Sequence, residues 1–302
     1  VLRYYSHGKL LLTGEYAVLD GAKSLAFPTK YGQALTVQPS ITHTSEWVSY
    51  LADKTVWNRL GFTKDDIVNA QNGTSFSSRL LSILKCIYLE RQELFSHALK
   101  FSTHLEFDKN WGLGSSSTLI NNLSLWAELD SYKLLSQTFG GSGYDIAAAN
   151  SKTPIIFQKE KDFNKVIEVE FSNNLKPYIY FVYLNQKQNS REGIRHYKSL
   201  NRHDKKEIID EISLITEKVL LTENVEEFEI LMKTHEQLVS RLTQQTPVQD
   251  LKFSDYNQGI VKSLGAWGGD FVLVTAKDKE HLDYFSKKGY NTIFRFSDLI
   301  LD

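Results

Sequence analysis

The sequence contains one cysteine in 302 residues, so it can build neither an internal disulfide nor a cysteine-rich metal centre. With five prolines and 17 glycines neither residue is enriched, and no long disordered or fibrous tract is marked. No apolar run reaches the roughly 20 residues that a membrane-crossing helix needs. Charge of neither sign dominates: 35 Lys and Arg face 36 Asp and Glu, for a formal net charge of −1. A chain so balanced has no bulk field to draw nucleic acid. Its opening residues, Val1 to Gly8, lack the layout of a secretory signal. These absences point to a cytoplasmic protein with no nucleic-acid or membrane partner. Either a monomer or a homodimer is expected.

What is present is an ordinary globular balance, 41% hydrophobic and 24% charged, over enough chain for two lobes with real cores. The pattern predicts an α+β protein. Strands are expected at 9–13, 33–38, 47–50, 101–107, 154–157, 178–184, 271–275 and 291–296. Helices are expected at 75–91, 118–129, 132–138, 190–201, 204–222, 225–243, 249–263 and 278–288. The texture changes beyond about 165, which suggests an N-terminal lobe over 1–165 and a C-terminal lobe over 166–302. Cys86 sits in an apolar helical run and reads as a packed side chain, not a nucleophile.

The most informative segment is Gly112-Leu113-Gly114-Ser115-Ser116-Ser117, between an expected strand and an expected helix. Glycines let a ligand approach the backbone, a helix start attracts anions, and hydroxyls can bond phosphate oxygens or a Mg²⁺ shell. The same residues also suit a plain N-cap, with Ser116 or Ser117 capping a helix from Thr118. No Lys follows the glycines, which excludes a Walker A loop.

A second small-residue loop, Gly140-Gly141-Ser142-Gly143, leads to Asp145. A carboxylate there can orient or deprotonate a nucleophile, or it can cap a helix as Ser142 can. Lys9 after Gly8 reads either as an anion contact or as a surface lysine, and Glu15 after Gly14 as a turn carboxylate. Lys187, Arg191 and Arg195 suit a phosphate on the acceptor or a solvated surface. Trp267 in Gly265-Ala266-Trp267-Gly268-Gly269-Asp270 is expected in the core.

Taken in order, Gly8 to Leu19, Gly112 to Ser117 and Gly265 to Asp270 resemble the motifs of the GHMP kinases. The resemblance implies a lobe like the ribosomal protein S5 domain 2 followed by a ferredoxin-like lobe. It also implies ATP and Mg²⁺ as cofactors. Lys9 would contact the acceptor and Asp145 would be the catalytic aspartate. Gly112, Leu113, Gly114, Ser115, Ser116 and Ser117 would hold the nucleotide, with Ser116 also on the metal. Glu15, Ser142 and Gly143, the cations Lys187, Arg191 and Arg195, and Gly268 and Gly269 would form the acceptor side. Glu15-Tyr16 and Asp145-Ile146 look more like phosphomevalonate kinases than mevalonate kinases, which more often have Glu-His and Asp-Asn there. The implied activity is γ-phosphoryl transfer to phosphomevalonate, with mevalonate kinase or a non-catalytic nucleotide-binding protein as alternatives. Between Ser117 and Asp145 the only acids are Glu128 and Asp130, and neither matches the family's acidic Mg²⁺ ligand in place.

Overall fold

The computed structural model of the chain describes residues 1–161, 163–200, 203–267 and 269–302. Its elements begin with β1 (Leu2–Leu11), β2 (Ser24–Pro39), β3 (Ser45–Tyr50) and β4 (Val56–Phe62). There follow α1 (Lys64–Val68), α2 (Phe76–Glu90), β5 (Leu99–Leu105), α3 (Ser115–Ala127), α4 (Ser131–Thr138) and α5 (Tyr144–Asn150). Next come β6 (Ile155–Lys159), β7 (Asn164–Glu168), β8 (Ile179–Tyr183), α6 (Ser190–Ser199), α7 (Lys205–Leu221) and α8 (Val225–Thr243). The chain ends with α9 (Val248–Lys252), β9 (Val261–Ser263), β10 (Phe271–Thr275), α10 (Asp283–Lys287), β11 (Ile293–Arg295) and α11 (Phe296–Leu299). Among the described residues no helix is long and apolar enough to cross a membrane.

Contacts divide the chain into two units, neither continuous in sequence. The first holds Val1–Gly8, Tyr31–Lys109 and Gly114–Asn150; the second holds Lys9–Lys30, Asn110–Leu113 and Ser151–Asp302. The sequence texture, by contrast, suggests a single boundary after 165.

In the first unit, β5 lies between β3, its parallel neighbour, and the later half of β2, its antiparallel neighbour. β4 closes the edge on β3. Alternation along β5 buries Phe101, Thr103 and Leu105 on one face. α2 contributes a stripe of Leu80, Ile83, Leu84 and Ile87, and is started by Ser75, whose hydroxyl accepts the Ser78 amide. Trp47 stacks on Phe101 at 5.2 Å and Trp126 of α3 meets the same ring edge-on at 5.1 Å, which anchors α3 to the sheet.

In the second unit an antiparallel sheet runs β11-β8-β10-β9. Its central strands are buried almost throughout, because both faces are covered. Tyr180, Val182, Val272 and Val274 pack on Phe253 and Phe285, while Phe181, on the opposite face of β8, meets Phe296. The start of β2 pairs with β6, and β6 with β7.

The expected helix over 249–263 is not formed as such. α9 stops at Lys252, and Val261–Ser263 is instead a strand paired with β10. Ser254, Asp255, Asn257 and Gly259 favour turns and break the helical run.

Candidate functional site

α3 begins at Ser115, three residues earlier than its periodicity suggests, so the three serines form its first turn. Its N-cap is Gly114, left-handed at φ 92°, and no side chain caps the helix. The capping expected from Ser116 or Ser117 is therefore absent. The Ser117 hydroxyl donates to the Gly114 carbonyl at 2.9 Å and is buried, so it does not face a ligand. Thr118 donates to Gln33 Oε1 at 2.9 Å. Ser116 is exposed and Ser115 half-buried. The result is the positive end of a 13-residue helix that, among the described residues, has no side-chain cap, with two accessible hydroxyls beside its first amides. Such an end binds anions.

A buried polar network holds this helix. Asn121 donates to Ser6 Oγ at 2.9 Å and to Asn150 Oδ1 at 2.8 Å, and Asn150 returns a bond to Asn121 Oδ1 at 2.8 Å. Asn122 donates to the Gln33 carbonyl, and Ser6 donates to Asn122. The Asn121–Asn150 pair ties α3 to α5, the helix that carries Asp145.

α5 follows Gly140, Gly141 and Gly143, all at positive φ. Ser142 is buried and accepts the Tyr144 amide at 3.4 Å, and the Gly143 carbonyl accepts the Ile146 and Ala147 amides. Ser142 and Gly143 thus build the turn into the helix. Asp145 is half-buried in the first turn, with Oδ1 accepting the Ile146 amide at 3.2 Å. The Tyr132 hydroxyl is pushed up to about 12, by burial first and then by the charges of Asp130 and Asp145.

The two acids between Ser117 and Asp145 are both used structurally. Glu128 ends α3 in a left-handed conformation and faces Arg91 at 3.5 Å. Asp130 caps α4 by accepting the Tyr132 and Lys133 amides. Among the described residues no group of three or more His, Cys, Asp or Glu can hold a metal ion. Mg²⁺ bound mainly by phosphate oxygens and water needs only one or two protein oxygens, and the exposed Ser116 hydroxyl and the half-buried Asp145 carboxylate are of the right kind.

The second unit places Lys9 against the start of the glycine segment. The Lys9 amide donates to the Leu113 carbonyl and its Nζ to the Gly112 carbonyl, both at 2.9 Å. Leu113 has no exposed surface, so it contributes backbone only. Gly112 is at φ 67°, and a Cβ there would lie 2.2 Å from Asp270 Oδ2. Its glycine is required by a carboxylate neighbour.

Asp270 is a residue that sequence reasoning passed over. Its Oδ1 accepts the Gln188 amide at 3.0 Å and its carbonyl accepts the Leu184 amide at 2.9 Å. Burial raises its pKa, while the Gln188 amide, Lys9 and Lys187 pull it down. The available signal was a lone acid closing a run of small residues.

Gly269 is shut in by Gln188, whose Cβ would lie 2.9 Å from an added Cβ. Gly268 falls outside the described residues. Trp267 is buried, as expected, and left-handed at φ 52°. Next to it the Ala266 carbonyl accepts the hydroxyl of Tyr16, itself at φ 61°. Lys187, Arg191 and Arg195 are exposed, and Arg195 lies 4.0 Å from Glu192.

Glu15 does not fit its expected role. It has no exposed surface, and its Oε1 accepts from Lys262 Nζ at 2.5 Å. His235 Nε2 accepts the Gly14 amide at 2.9 Å and stands 3.4 Å from Glu15 Oε2, while Glu236 lies 3.9 Å from Lys262. Two buried carboxylates share one buried ammonium. Burial pushes Glu15 up to about 7 against the pull of Lys262, raises Glu236, and holds the His235 imidazole neutral. An open depression of about 520 Å³ bounded by Asn173, Pro177, Glu223 and Lys277 shares none of these residues.

No protein-family profile and no curated protein sequence matches the chain. Solved structures do. The mevalonate kinase of Methanococcus jannaschii superposes with a TM-score of 0.72 at 21% identity, covering 100% of this chain and 98% of that one. Streptococcus pneumoniae phosphomevalonate kinase, in complex with phosphomevalonate and AMPPNP, gives 0.69 at 16% identity over 100% and 98%. Lactococcus lactis galactokinase, complexed with galactose, gives 0.70 at 13% over 97% and 92%. Along its whole length, then, the chain has the mixed α+β fold of the GHMP kinases, as its three motifs led one to expect.

Proposed function

We propose that the protein is an ATP-dependent small-molecule kinase that transfers the γ-phosphoryl group to phosphomevalonate. The observation that carries the reading is the uncapped N-terminus of α3, with the Ser115 and Ser116 hydroxyls at its mouth. The β- and γ-phosphates sit on the first-turn amides, where the helix dipole opposes their charge. When bound, Mg²⁺ would supply charge neutralisation at the phosphate oxygens, held by Ser116 and Asp145.

In the reaction an acceptor oxygen forms a bond to the γ-phosphorus as the bond to the β,γ-bridging oxygen breaks, and ADP leaves with that electron pair. An acceptor that is already a phosphate is ionised near neutrality, so Asp145 orients the attacking group and is not required as a strong base. Lys9 offsets the negative charge of the acceptor. Catalysis is alignment and charge neutralisation, with no covalent enzyme intermediate.

Three features favour a phosphorylated acceptor. Lys187, Arg191 and Arg195 put three exposed cations at and just before α6. Glu15-Tyr16 and Asp145-Ile146 stand where mevalonate kinases more often have Glu-His and Asp-Asn. A solved structure of the same fold holds phosphomevalonate and AMPPNP. The same reading assigns the protein to isoprenoid-precursor synthesis in the cytoplasm.

The test is ADP release, coupled to a reporter, across mevalonate, phosphomevalonate, homoserine and galactose. Phosphomevalonate is expected to give the dominant rate. Asp145→Asn is expected to lower kcat by about 10²–10³-fold while ATP affinity stays within about threefold. A dominant rate with another acceptor overturns the substrate, and undiminished turnover in the variant removes Asp145 from the chemistry.

A further inference from the structure

We propose that Asp270 is a positioning residue for Lys9, acting through Gly112. The inference rests on the reading above only in giving Lys9 a role in turnover; the geometry stands apart from it. Gly112 is held from two sides. Its carbonyl accepts the Lys9 ammonium at 2.9 Å. Where its side chain would be, the Asp270 carboxylate occupies the space: a Cβ at Gly112 would meet Oδ2 at 2.2 Å, Cγ at 2.4 Å and Cβ at 2.9 Å.

Asp270 is itself fixed. Its Oδ1 takes the Gln188 amide at 3.0 Å, its backbone carbonyl takes the Leu184 amide at 2.9 Å, and β10 begins at the next residue. A side chain anchored at a strand end is a rigid wedge, unlike a carboxylate on a flexible loop. Trp111, just before Gly112, packs on Phe271 and Phe294 at 5.9 and 5.2 Å, so the segment is clamped beside the wedge as well.

A carboxylate next to a segment meant to receive phosphate works against anion binding unless it serves another group. Lys9 and Lys187 are the cations whose charges act on it. The arrangement reads as a clasp: the wedge sets the Gly112 carbonyl, the carbonyl sets the ammonium, and the carboxylate's charge attracts that ammonium. The burial of Asp270 and the opposing pull of the two lysines on its titration agree with that assignment.

Two arms test it. In the first, surface amines of the intact protein are acylated with limiting acetic anhydride and followed peptide by peptide. Asp270→Asn keeps an acceptor for the Gln188 amide but removes the charge. Lys9 labelling is expected to rise by about threefold to tenfold, with exposed Lys279 as the unchanged reference. The thermal midpoint should stay within about 2 °C. If the kinase reading holds, kcat falls by about tenfold while the ATP KM stays within about twofold.

The second arm uses Gly112→Ala, which drives a Cβ into Asp270 and lowers the thermal midpoint. Adding Asp270→Gly removes all three clashing atoms and is expected to recover part of that loss. Unchanged Lys9 labelling in Asp270→Asn, or a double variant no better than the sum of its parts, overturns the proposal. If the wild type turns over no acceptor, the kinase reading fails while labelling and the double variant still decide this one.

Discussion

Two charged regions of the molecule are built in opposite ways. At the start of α3 the polarity comes from neighbours in sequence. A left-handed Gly114 withholds the usual side-chain cap, and the first turn is left facing solvent with Ser116 exposed. At Glu15 the polarity comes from residues far apart, Lys262 lying 247 positions away, and the groups are sealed from solvent. The open region has an electrostatic demand that a ligand can meet; the closed one meets its demand internally and incompletely. Among the described residues, Glu15 Oε2, Glu236 Oε2 and His235 Nδ1 have no hydrogen-bond partner. On the proposed function the first serves binding, while the second serves stability.

That division can be broken most severely at Lys262. Lys262→Ala strands two buried carboxylates and should cost about 3–5 kcal/mol in urea unfolding at neutral pH. A loss below about 1 kcal/mol would show that the buried pair is not a structural element. Ser116→Ala should act on the other side of the comparison, raising the ATP KM by about tenfold without moving the urea midpoint. Ser117→Ala should do the reverse, because its hydroxyl serves the Gly114 carbonyl: a loss of about 1 kcal/mol with ATP binding little changed.

A smaller effect lies in the pH dependence of stability. Glu15 is raised from 4.5 to about 7 in the folded protein. The folded state then holds a proton that the unfolded chain releases, so this group's contribution is full below pH 4.5 and is lost as pH rises through about 7. His235 runs the other way. Its folded pKa lies well below 6.5, so its contribution is present above 6.5 and lost as pH falls. Above 6.5 the raised carboxyls act without it, Glu236 in the same direction as Glu15, and the thermal midpoint should decline from about pH 6.5 to about pH 8. Glu15→Gln should flatten that decline; an unchanged slope would assign it elsewhere.

How much of this could be read from sequence follows the same line. The helical stripe of α2, the strands β5 and β10 and the glycine-serine segment are local patterns, and they appear close to where periodicity puts them. The start of α3 was shifted by three residues because serines read as caps, whereas a positive-φ glycine does that job. Gly112, Gly114, Ser115, Ser116 and Asp145 could be picked out from small-residue loops placed before helices. Glu15 falls on the acceptor side only through the family resemblance, and a carboxylate after a glycine carries no sign of its depth. Its partner Lys262 sat in what read as a helix, and only pairing with β10 puts it in the core. Asp270 escaped because its meaning lies in Gly112, far off in sequence.

The most direct measurement is ATP binding to Ser116→Asp by calorimetry, with the thermal midpoint of the same protein. A carboxylate in the first turn favours the helix dipole and repels a triphosphate. The midpoint is expected to hold or rise slightly while ATP affinity falls by about a hundredfold or more. ATP affinity equal to that of the wild type would contradict the account, since it would place the nucleotide's phosphates away from the start of α3.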